Sequence, residues 1–386
     1  MNKKKICLVT NWYPSKENPY QGLFFREQAI ALADYFDFVV LHYKHTNKVL
    51  TGKSTLELVK KEANITEYNS EIVSSKMQAK MRRLFLGDKH YTEYVYHEFM
   101  KLLSDEQIDV LYSVSAQSEA ILCAALAKAV GKPYVLAEHA PFPWPGTVIT
   151  KEKKEAIEGA SAFLAISCDK VRQIMMQDIK LPKIYYVGNM VDEELFSCKK
   201  SVNEIKTFVA VGANSFYKNY PMLIDTFNRL TEITDVPFKL MIVGFRANKG
   251  YSKDSTELER AFLESKFAKN LELVPSVSHE EMPGIYARAD AFVMTSIQEG
   301  QPVSAIEAGC CGLPIFSTRC GGVEDYVTDD VGRIVDVLDS AGLAQYLKAF
   351  LENKICFDSI KIREAVKVKF GKEAFIQAMI HAMNSV

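Results

Sequence analysis

The 386-residue sequence lacks most of the short motifs that mark common enzyme classes. It contains no Cys-x-x-Cys, His-Glu-x-x-His, Gly-x-Ser-x-Gly or Asp-x-Asp, which weighs against zinc hydrolases, nucleophile-elbow hydrolases and a carboxylate pair holding a divalent cation on a diphosphate. No Gly-x-Gly-x-x-Gly occurs, which weakens the case for a nicotinamide dehydrogenase. Residues 51–55 end like a P-loop, but the glycine required five positions before Gly52 is Asn47, so the phosphate cradle cannot form.

A large net charge and long apolar runs are also lacking. With 47 Lys and Arg against 48 Asp and Glu, the net charge is -1, which argues against a broad nucleic-acid footprint. No apolar run approaches the ~18 residues that a membrane span needs. The run 6–10 after Lys3-Lys4-Lys5 is too short for a secretory signal. We therefore expect a cytoplasmic protein, peripheral at most to the inner face of the plasma membrane.

Eight cysteines are present, and they are not paired by spacing. Cys7, Cys123 and Cys168 lie in apolar stretches, and Cys310-Cys311 are adjacent in a helical pattern. Buried free cysteines behave as small hydrophobes. A disulfide scaffold is not expected at this chain length, and a reducing compartment fits better.

Short apolar, β-branched runs alternate with helical patterns along most of the chain. Alternation of this kind indicates parallel sheets with right-handed crossovers, and it restarts after a polar joint near 196–204. The fold class is therefore α/β, with two doubly wound, Rossmann-like domains facing a central cleft, where ligands bind at strand carboxyl ends. The predicted strands are 5–10, 36–43, 108–115, 133–139, 162–167, 183–188, 207–212, 237–244, 271–275, 291–296, 313–318 and 333–337. The predicted helices are 24–34, 118–130, 151–159, 169–177, 220–233, 255–268, 279–289 and 302–311.

The stretch 295–308 carries the strongest chemical signal. A strand runs into a Gly-containing turn, and we expect a helix to follow with Pro302 at its first position. Amides from Val303 onward and the helix dipole would form an anion site suited to a diphosphate. Glu299 lies before this helix and Glu307 on it. Carboxylates accept paired hydrogen bonds from vicinal hydroxyls, and a nucleotide sugar carries one such diol on each side of its diphosphate. The alternative, taken singly, is a solvated helix residue at Glu307 and a helix-start charge at Glu299.

These residues resemble the family 4 retaining glycosyltransferases of the GT-B fold. The family's Glu-Gly-x-Pro turn with a second Glu eight residues after the first is matched by residues 299–302 and Glu307. The resemblance continues through Gly321-Gly322 and Gly332, and residues 189–196 and 13–29 match earlier family patterns. It implies an N-terminal acceptor-side domain over 1–195, a donor-binding domain over 196–370 and a helix 371–386 that returns to the first domain.

The resemblance also implies roles for individual residues. Glu307 would hold the ribose, Glu299 the transferred sugar and Lys218 the diphosphate, while His139 would contact the donor sugar without acting as a base. Lys218 has a plainer interpretation as a solvated loop residue, and His139 as a structural hydrogen-bond partner. The donor, a UDP- or GDP-sugar, would need no metal or other cofactor. The donor-binding candidates are Gly22, Gly212, Asn214, Lys218, Gly244, Val277, Glu299, Gly300, Gln301, Pro302, Val303 and Glu307.

One departure from the family concerns the phosphate site. The family's Arg just after the first-strand glycine is Ala213 here, so one phosphate cation is missing. Arg246 or Lys249 is a candidate substitute. Ala213 also supports an alternative function, a nucleotide-sugar-binding subunit without catalysis. A sugar-nucleotide epimerase of similar shape is a second alternative.

The acceptor side carries weaker signals. Trp12 and Trp144 follow first-domain strands, where aromatic faces could pack on a saccharide or could equally fill the core. Residues 76–89 form a basic pattern with apolar residues at helical spacing, typical of membrane-surface contact or of a solvated helix. We expect a saccharide acceptor, lipid-linked at the inner membrane face, in bacterial cell-surface polysaccharide or lipopolysaccharide synthesis, and no nucleic-acid partner.

Overall fold

The computed structural model describes residues 3–46, 54–62, 64–73, 93–144, 146–198, 201–245 and 253–386. The chain divides into two compact units. Unit 1 comprises residues 1–190 and 375–386, and unit 2 comprises residues 191–374. The division therefore lies slightly upstream of the predicted domain boundary after residue 195.

Unit 1 is built on one eight-stranded sheet with the order β3-β4-β2-β1-β5-β6-β7-β8. Strand pairs other than β3–β4 are parallel, as the alternation of strand and helix predicted. The strands are β1 Lys4–Thr10, β2 Phe36–Thr46, β3 Ser54–Glu62, β4 Ile65–Val73, β5 Val110–Ser113, β6 Tyr134–Ala137, β7 Ala162–Ala165 and β8 Lys183–Tyr186. The helices are α1 Leu23–Leu32, α2 Glu93–Asp105, α3 Ser118–Val130, α4 Lys151–Glu158 and α5 Cys168–Met175.

Strands β3 and β4 and helix α2 were not predicted. β3 pairs antiparallel with β4, which itself runs parallel to β2. β3 lies at the sheet edge, and Leu58 and Val59 on it are more than half exposed. An edge strand needs no continuous apolar run, because only part of its surface packs on the core, so apolar runs alone could not reveal the hairpin.

Unit 2 contains a six-stranded parallel sheet with the order β11-β10-β9-β12-β13-β14. The order reverses between β9 and β12, which places the topological switch point, where doubly wound sheets bind ligands, at their carboxyl ends. The strands are β9 Lys206–Val211, β10 Phe238–Val243, β11 Leu271–Val274, β12 Ala291–Met294, β13 Ile315–Thr318 and β14 Gly332–Val335. The helices are α6 Tyr220–Ile233, α7 Lys253–Leu263, α8 Met282–Ala287, α9 Val303–Cys310, α10 Ser340–Leu351 and α11 Ser359–Phe370. The last helix, α12 Lys372–Asn384, begins in unit 2 and continues into unit 1.

Apolar clusters cover both faces of the unit 2 sheet. One contains Ile306 and Val366 from α9 and α11, and the other contains Phe227 and Leu347 from α6 and α10. Helices α10 and α11 were not predicted, although they bury these residues completely. Because α9 is packed on one cluster, its position relative to β12 is fixed by burial of apolar surface.

One cysteine pair departs from the expectation of unpaired thiols. Cys198 and Cys311 are disulfide-bonded, with Cα atoms 5.2 Å apart, and join the segment after residue 191 to the residue that follows α9. The other six cysteines form no disulfide bond. A single cross-link is not a disulfide scaffold, but sequence spacing gave no indication of it.

Within the described ranges, none of the helices combines the length and the hydrophobicity that a bilayer span requires.

Candidate functional site

The switch point of unit 2 brings Lys218 and Glu299 into direct contact. Lys218 ends a 3-10 turn over Phe216–Lys218 after β9, and Glu299 lies in the turn after β12. Their Nζ and Oε1 atoms are 2.8 Å apart. Ser296 Oγ donates to the same Oε1 at 2.7 Å. The two charged side chains are 21% and 18% exposed, so the pair is shielded from water yet open to a ligand.

Gly212 leaves space for the side chain of Lys218. Its φ of +146° is one that side-chain-bearing residues rarely adopt, and a Cβ there would lie 2.7 Å from Lys218 Cε. The Gly212 carbonyl accepts a hydrogen bond from Tyr220 Oη at 2.5 Å. Burial, and secondly the charge of Glu299, raise the pKa of Tyr220, so Tyr220 stays a neutral donor. The loop backbone is therefore fixed where Lys218 crosses it.

The turn 299–302 is held against the loop that follows β13. The Glu299 amide donates to the Cys320 carbonyl at 2.7 Å. Gly322 has a φ of +74°, and a Cβ on it would lie 2.6 Å from the Gly300 carbonyl oxygen. The paired glycines noted in the sequence thus permit the close approach of two backbones that shapes this turn.

Helix α9 begins one residue later than predicted. Pro302 has extended backbone angles, φ -71° and ψ 106°, and is the N-cap rather than the first helical residue. No side chain caps this end of α9 in the part of the chain that the structure describes. The amides of Ala305 and Ile306 already donate to the Pro302 carbonyl. The predicted anion site in the first turn of α9 therefore comprises the amides of Val303 and Ser304 and not those of Ala305 and Ile306.

Glu307 is not the solvated helix residue of the alternative interpretation, because only 6% of it is exposed. Tyr286 Oη donates to Glu307 Oε2 at 2.8 Å, and His279 Nε2 lies 3.1 Å from Glu307 Oε1. Burial, followed by the charge of Glu307, raises the pKa of Tyr286 well above its ordinary value. Both carboxylate oxygens are therefore held by ring-borne donors in unit 2.

Three further donor-binding candidates lie in loops at the same sheet edge. Asn214 is buried after β9, and its amide donates to the Phe245 carbonyl at 3.3 Å. Gly244 follows β10, and its amide donates to the Val274 carbonyl at 3.1 Å. Val277 follows β11 and packs on a core cluster. These loops follow neighbouring strands, so they line one side of the switch point.

His139 lies in unit 1, two residues after β6. Its ring packs against Phe24 and Phe25 at centroid distances of 5.5 and 4.8 Å. Its two nitrogens are shielded from solvent and form no hydrogen bond of good geometry with described residues. Burial and, secondly, Lys170 lower the pKa of His139 to about 3, so the ring is neutral at physiological pH and can serve a hydroxyl as donor or acceptor.

The other unit 1 candidates lie on loops. Gly22 is the N-cap of α1, and a Cβ there would lie 2.4 Å from the Trp12 carbonyl oxygen. Trp12 and Trp144 are 52% and 49% exposed, so neither fills the core, and contact with a saccharide stays a prediction. Phe142 is the aromatic residue of its loop that is buried.

Sequence reasoning missed His279, Tyr286 and Ser296. His279 lies two residues after Val277, a predicted donor-binding residue, which was the available signal. Tyr286 reads as an ordinary core position of a helix, so only the fold reveals its contact with Glu307. The basic segment 76–89 and the residues Arg246 and Lys249 lie outside the described residues.

Residues 191–368 match the family model described as glycosyl transferases group 1. A curated relative is the D-inositol 3-phosphate glycosyltransferase of Arthrobacter sp. (strain FB24), 35% identical over 80 residues, which cover 20% of this chain and 19% of the relative. Another is the alpha-galactosylglucosyldiacylglycerol synthase of Streptococcus pneumoniae, 29% identical over 156 residues, which cover 38% of this chain and 40% of the relative. The chain thus spans less than half the length of either relative.

Solved structures match the whole chain. Sucrose-phosphate synthase of Thermosynechococcus elongatus has a TM-score of 0.74 at 14% identity and covers 99% of both chains. Anabaena Alr3699/HepE in complex with UDP-glucose has a TM-score of 0.71 at 14% identity, covering 99% of this chain and all of the other. The predicted fold class is confirmed as GT-B, with two Rossmann-like units. The match to glycosyl transferases group 1 thus covers residues 191–368, which lie in unit 2.

Proposed function

We propose that the chain is a retaining glycosyltransferase of family 4 that transfers a hexose from a UDP- or GDP-linked donor to a saccharide acceptor. The observation that carries the proposal is the Lys218–Glu299 contact at the switch point, with buried Glu307 on the adjoining helix. A cation, free helix amides and two carboxylates are then grouped at one sheet edge. The match of 191–368 to a glycosyltransferase family supports this reading.

Lys218 has enough donors to serve both groups at once. An ammonium carries three N–H donors, and the Glu299 contact uses one of them. Two remain for diphosphate oxygens. Glu299 accepts from Lys218 and Ser296 on Oε1, which leaves Oε2 for hydroxyls of the transferred sugar. The contact between Lys218 and Glu299 therefore need not break when a donor binds.

In the reaction, the bond between the donor's anomeric carbon and the diphosphate oxygen breaks. A bond from the acceptor hydroxyl oxygen forms to that carbon on the same face, and the departing diphosphate takes the hydroxyl proton. Lys218 and the amides of Val303 and Ser304 stabilise the charge that develops on the diphosphate. His139 stays neutral and, as the resemblance implies, contacts the donor sugar without acting as a base.

The positive charge that the leaving group requires comes, in this proposal, from the protein, without metal or other cofactor. Addition of EDTA should leave the initial rate of donor hydrolysis or transfer unchanged within about twofold, because Lys218 and the α9 amides are intrinsic to the chain. The measurement is nucleoside diphosphate release with and without chelator. Complete loss of activity in EDTA, restored by a divalent cation, would contradict the proposal.

The acceptor is proposed to be a lipid-linked saccharide used in bacterial cell-surface polysaccharide or lipopolysaccharide synthesis, reached from the cytoplasm. The exposed Trp12 and Trp144 offer saccharide-stacking surfaces, and the Streptococcus pneumoniae relative carries a glycosylated diacylglycerol in its name. Segment 76–89 would contact the membrane. Co-sedimentation with anionic vesicles at low salt tests this, and absence of binding would defeat the membrane contact.

The experiment that separates the candidate functions is incubation with a panel of UDP- and GDP-sugars. We expect donor hydrolysis, raised by a suitable acceptor, for one donor class. Conversion of the sugar to an epimer would favour the epimerase, and binding without turnover would favour the non-catalytic role that Ala213 suggests. Failure of every donor to bind would reject the proposal itself.

A further inference from the structure

Glu307 is the residue of the site whose surroundings are most completely fixed. It receives a hydrogen bond on each oxygen, from Tyr286 Oη to Oε2 and from His279 Nε2 to Oε1. Because a carboxylate only accepts, the proton of His279 must lie on Nε2. The donor-binding role of Glu307 belongs to the proposed function, but neither of its two partners has a role there.

Tyr286 holds its oxygen from the protein interior. Its ring is completely buried, and its hydroxyl also lies 3.1 Å from the Ser304 carbonyl. The shorter contact, 2.8 Å, is to the charged Glu307 oxygen, which is the stronger acceptor for the single hydroxyl proton. The Oε2 atom is therefore anchored from below.

His279 holds the other oxygen from the solvent side. It begins a 3-10 turn, His279–Glu281, closed by a capping box in which the Ser278 amide donates to Glu281 Oε2 at 2.8 Å. Its ring packs on buried Phe196 with centroids 5.3 Å apart. Its side chain is 24% exposed, against 8% for Glu307. His279 thus lies nearer the surface than Glu307, in the segment that follows β11.

The contacts with Tyr286 and His279 leave two acceptor sites on the Glu307 carboxylate. A carboxylate offers about four lone-pair sites, two on each oxygen. Tyr286 takes one on Oε2 and His279 takes one on Oε1, which leaves one on each oxygen. A vicinal diol presents two hydroxyls at matching separation. Without His279, Oε1 loses its donor and only Oε2 is held, by Tyr286, so the two remaining sites are no longer fixed to face one diol together.

We propose that His279 and Tyr286 are positioning residues that orient Glu307 to bind both ribose hydroxyls of the donor as a pair, so that the site selects ribonucleotides over 2′-deoxyribonucleotides. The inference rests on the proposed function, because it concerns the same carboxylate. It adds the residues that set the selectivity. If these residues only supported packing, their substitution would weaken the binding of both nucleotides equally. If they orient the carboxylate, their substitution weakens mainly the binding of the ribonucleotide, which carries the diol.

The test is calorimetric titration of the full chain with UDP, GDP and their 2′-deoxy counterparts. We expect the wild type to prefer the ribonucleotide by about tenfold or more, since a missing hydroxyl leaves a charged acceptor unpaired. His279→Phe keeps a ring against Phe196 but has no donor, and should reduce this preference by about fivefold to tenfold. Tyr286→Phe removes the donor to Oε2 and should reduce it similarly.

Two variants act as controls. His279→Gln retains a side-chain N–H and should restore most of the preference. Glu280→Gln changes an exposed neighbour in the same 3-10 turn and should leave the preference at the wild-type value. Thermal unfolding of each variant shows whether it is folded.

The outcomes separate the two claims. Reduced preference in His279→Phe with recovery in His279→Gln supports the inference. An unchanged preference in His279→Phe, or equal weakening of both nucleotides in His279→Phe and His279→Gln, overturns it while leaving the proposed function intact. A wild type that binds neither UDP nor GDP rejects the proposed function as well.

Discussion

Replacement of Lys218 by methionine tests the phosphate site most simply. The change keeps the length and the apolar stem of the side chain but removes the ammonium, which lies 2.8 Å from Glu299. The lost contact costs little stability, because a partly exposed ion pair contributes about 1 kcal/mol or less. For a domain of this size, that corresponds to a fall in Tm of about 2–4 °C.

The effect on donor binding should be larger. A hydrogen bond from a charged donor contributes about 1.5–3 kcal/mol, so the affinity for UDP or GDP should fall by roughly 10- to 150-fold. The affinity for uridine or guanosine, which lack phosphates, should be unchanged. Lys218→Arg keeps the charge and should recover part of the loss.

Calorimetric titration of wild type, Lys218→Met and Lys218→Arg with each nucleotide and its nucleoside measures these differences. Increasing salt should weaken nucleotide binding in the wild type more than in Lys218→Met, because screening acts on the charge that the variant lacks. The reasoning is refuted if Lys218→Met binds the nucleoside diphosphate as tightly as the wild type. It is refuted equally if nucleoside and nucleotide are weakened by the same factor.

Two further predictions concern the turn and the unit 1 histidine. Gly322→Ala places a Cβ 2.6 Å from the Gly300 carbonyl oxygen at a φ of +74°. Urea unfolding should therefore show a free energy of unfolding lower by about 1–2 kcal/mol or more, and donor binding should be weaker. Wild-type stability and affinity in this variant would contradict the close backbone contact. The pKa of His139 in the folded state, about 3, lies below its ordinary value. Between these two pH values the unfolded chain binds more protons than the folded chain. The free energy of unfolding therefore falls as the pH is lowered through this range, by at most about 1.4 kcal/mol per pH unit. His139→Gln should therefore lose less stability than the wild type between pH 7 and pH 5 in urea unfolding, and equal losses would show that His139 does not titrate as described.

Much of the fold followed from alternation of apolar and helical patterns. A buried parallel strand such as β12 is a continuous apolar run, and the helices between such strands carry clear periodicity, so their positions were predictable. The hairpin of β3 and β4 was missed because the edge strand β3 is largely exposed and β4 beside it has no continuous apolar run. Helices α10 and α11 were missed although their buried faces are apolar.

The site was predictable where one short segment supplies its residues. Glu299 and Glu307 lie eight residues apart on one turn and helix, so spacing alone related them. Tyr286 and His279 reach Glu307 across sequence separations of 21 and 28 residues. Contacts of this range depend on how α8 and the 3-10 turn before it lie beside α9, which a single sequence does not encode as a local pattern.

The starting residue of α9 shows the limit of local rules. Proline favours the first helical position, yet Pro302 is the N-cap here, because its carbonyl accepts the amides of Ala305 and Ile306 while its own backbone is extended. A shift of one residue changes which amides are available to an anion. The first residue of α9 therefore does not follow from the helix preference of proline alone.

The central claim is that Glu299 and Glu307 bind an activated sugar on either side of a diphosphate held by Lys218 and the start of α9. The most direct measurement is titration of Glu299→Gln and Glu307→Gln with the preferred nucleotide sugar and with its nucleoside diphosphate. Glu307→Gln should weaken both ligands by about tenfold or more, whereas Glu299→Gln should weaken the nucleotide sugar and leave the nucleoside diphosphate largely unaffected. If both variants bind every UDP- and GDP-sugar with wild-type affinity, the claim is contradicted.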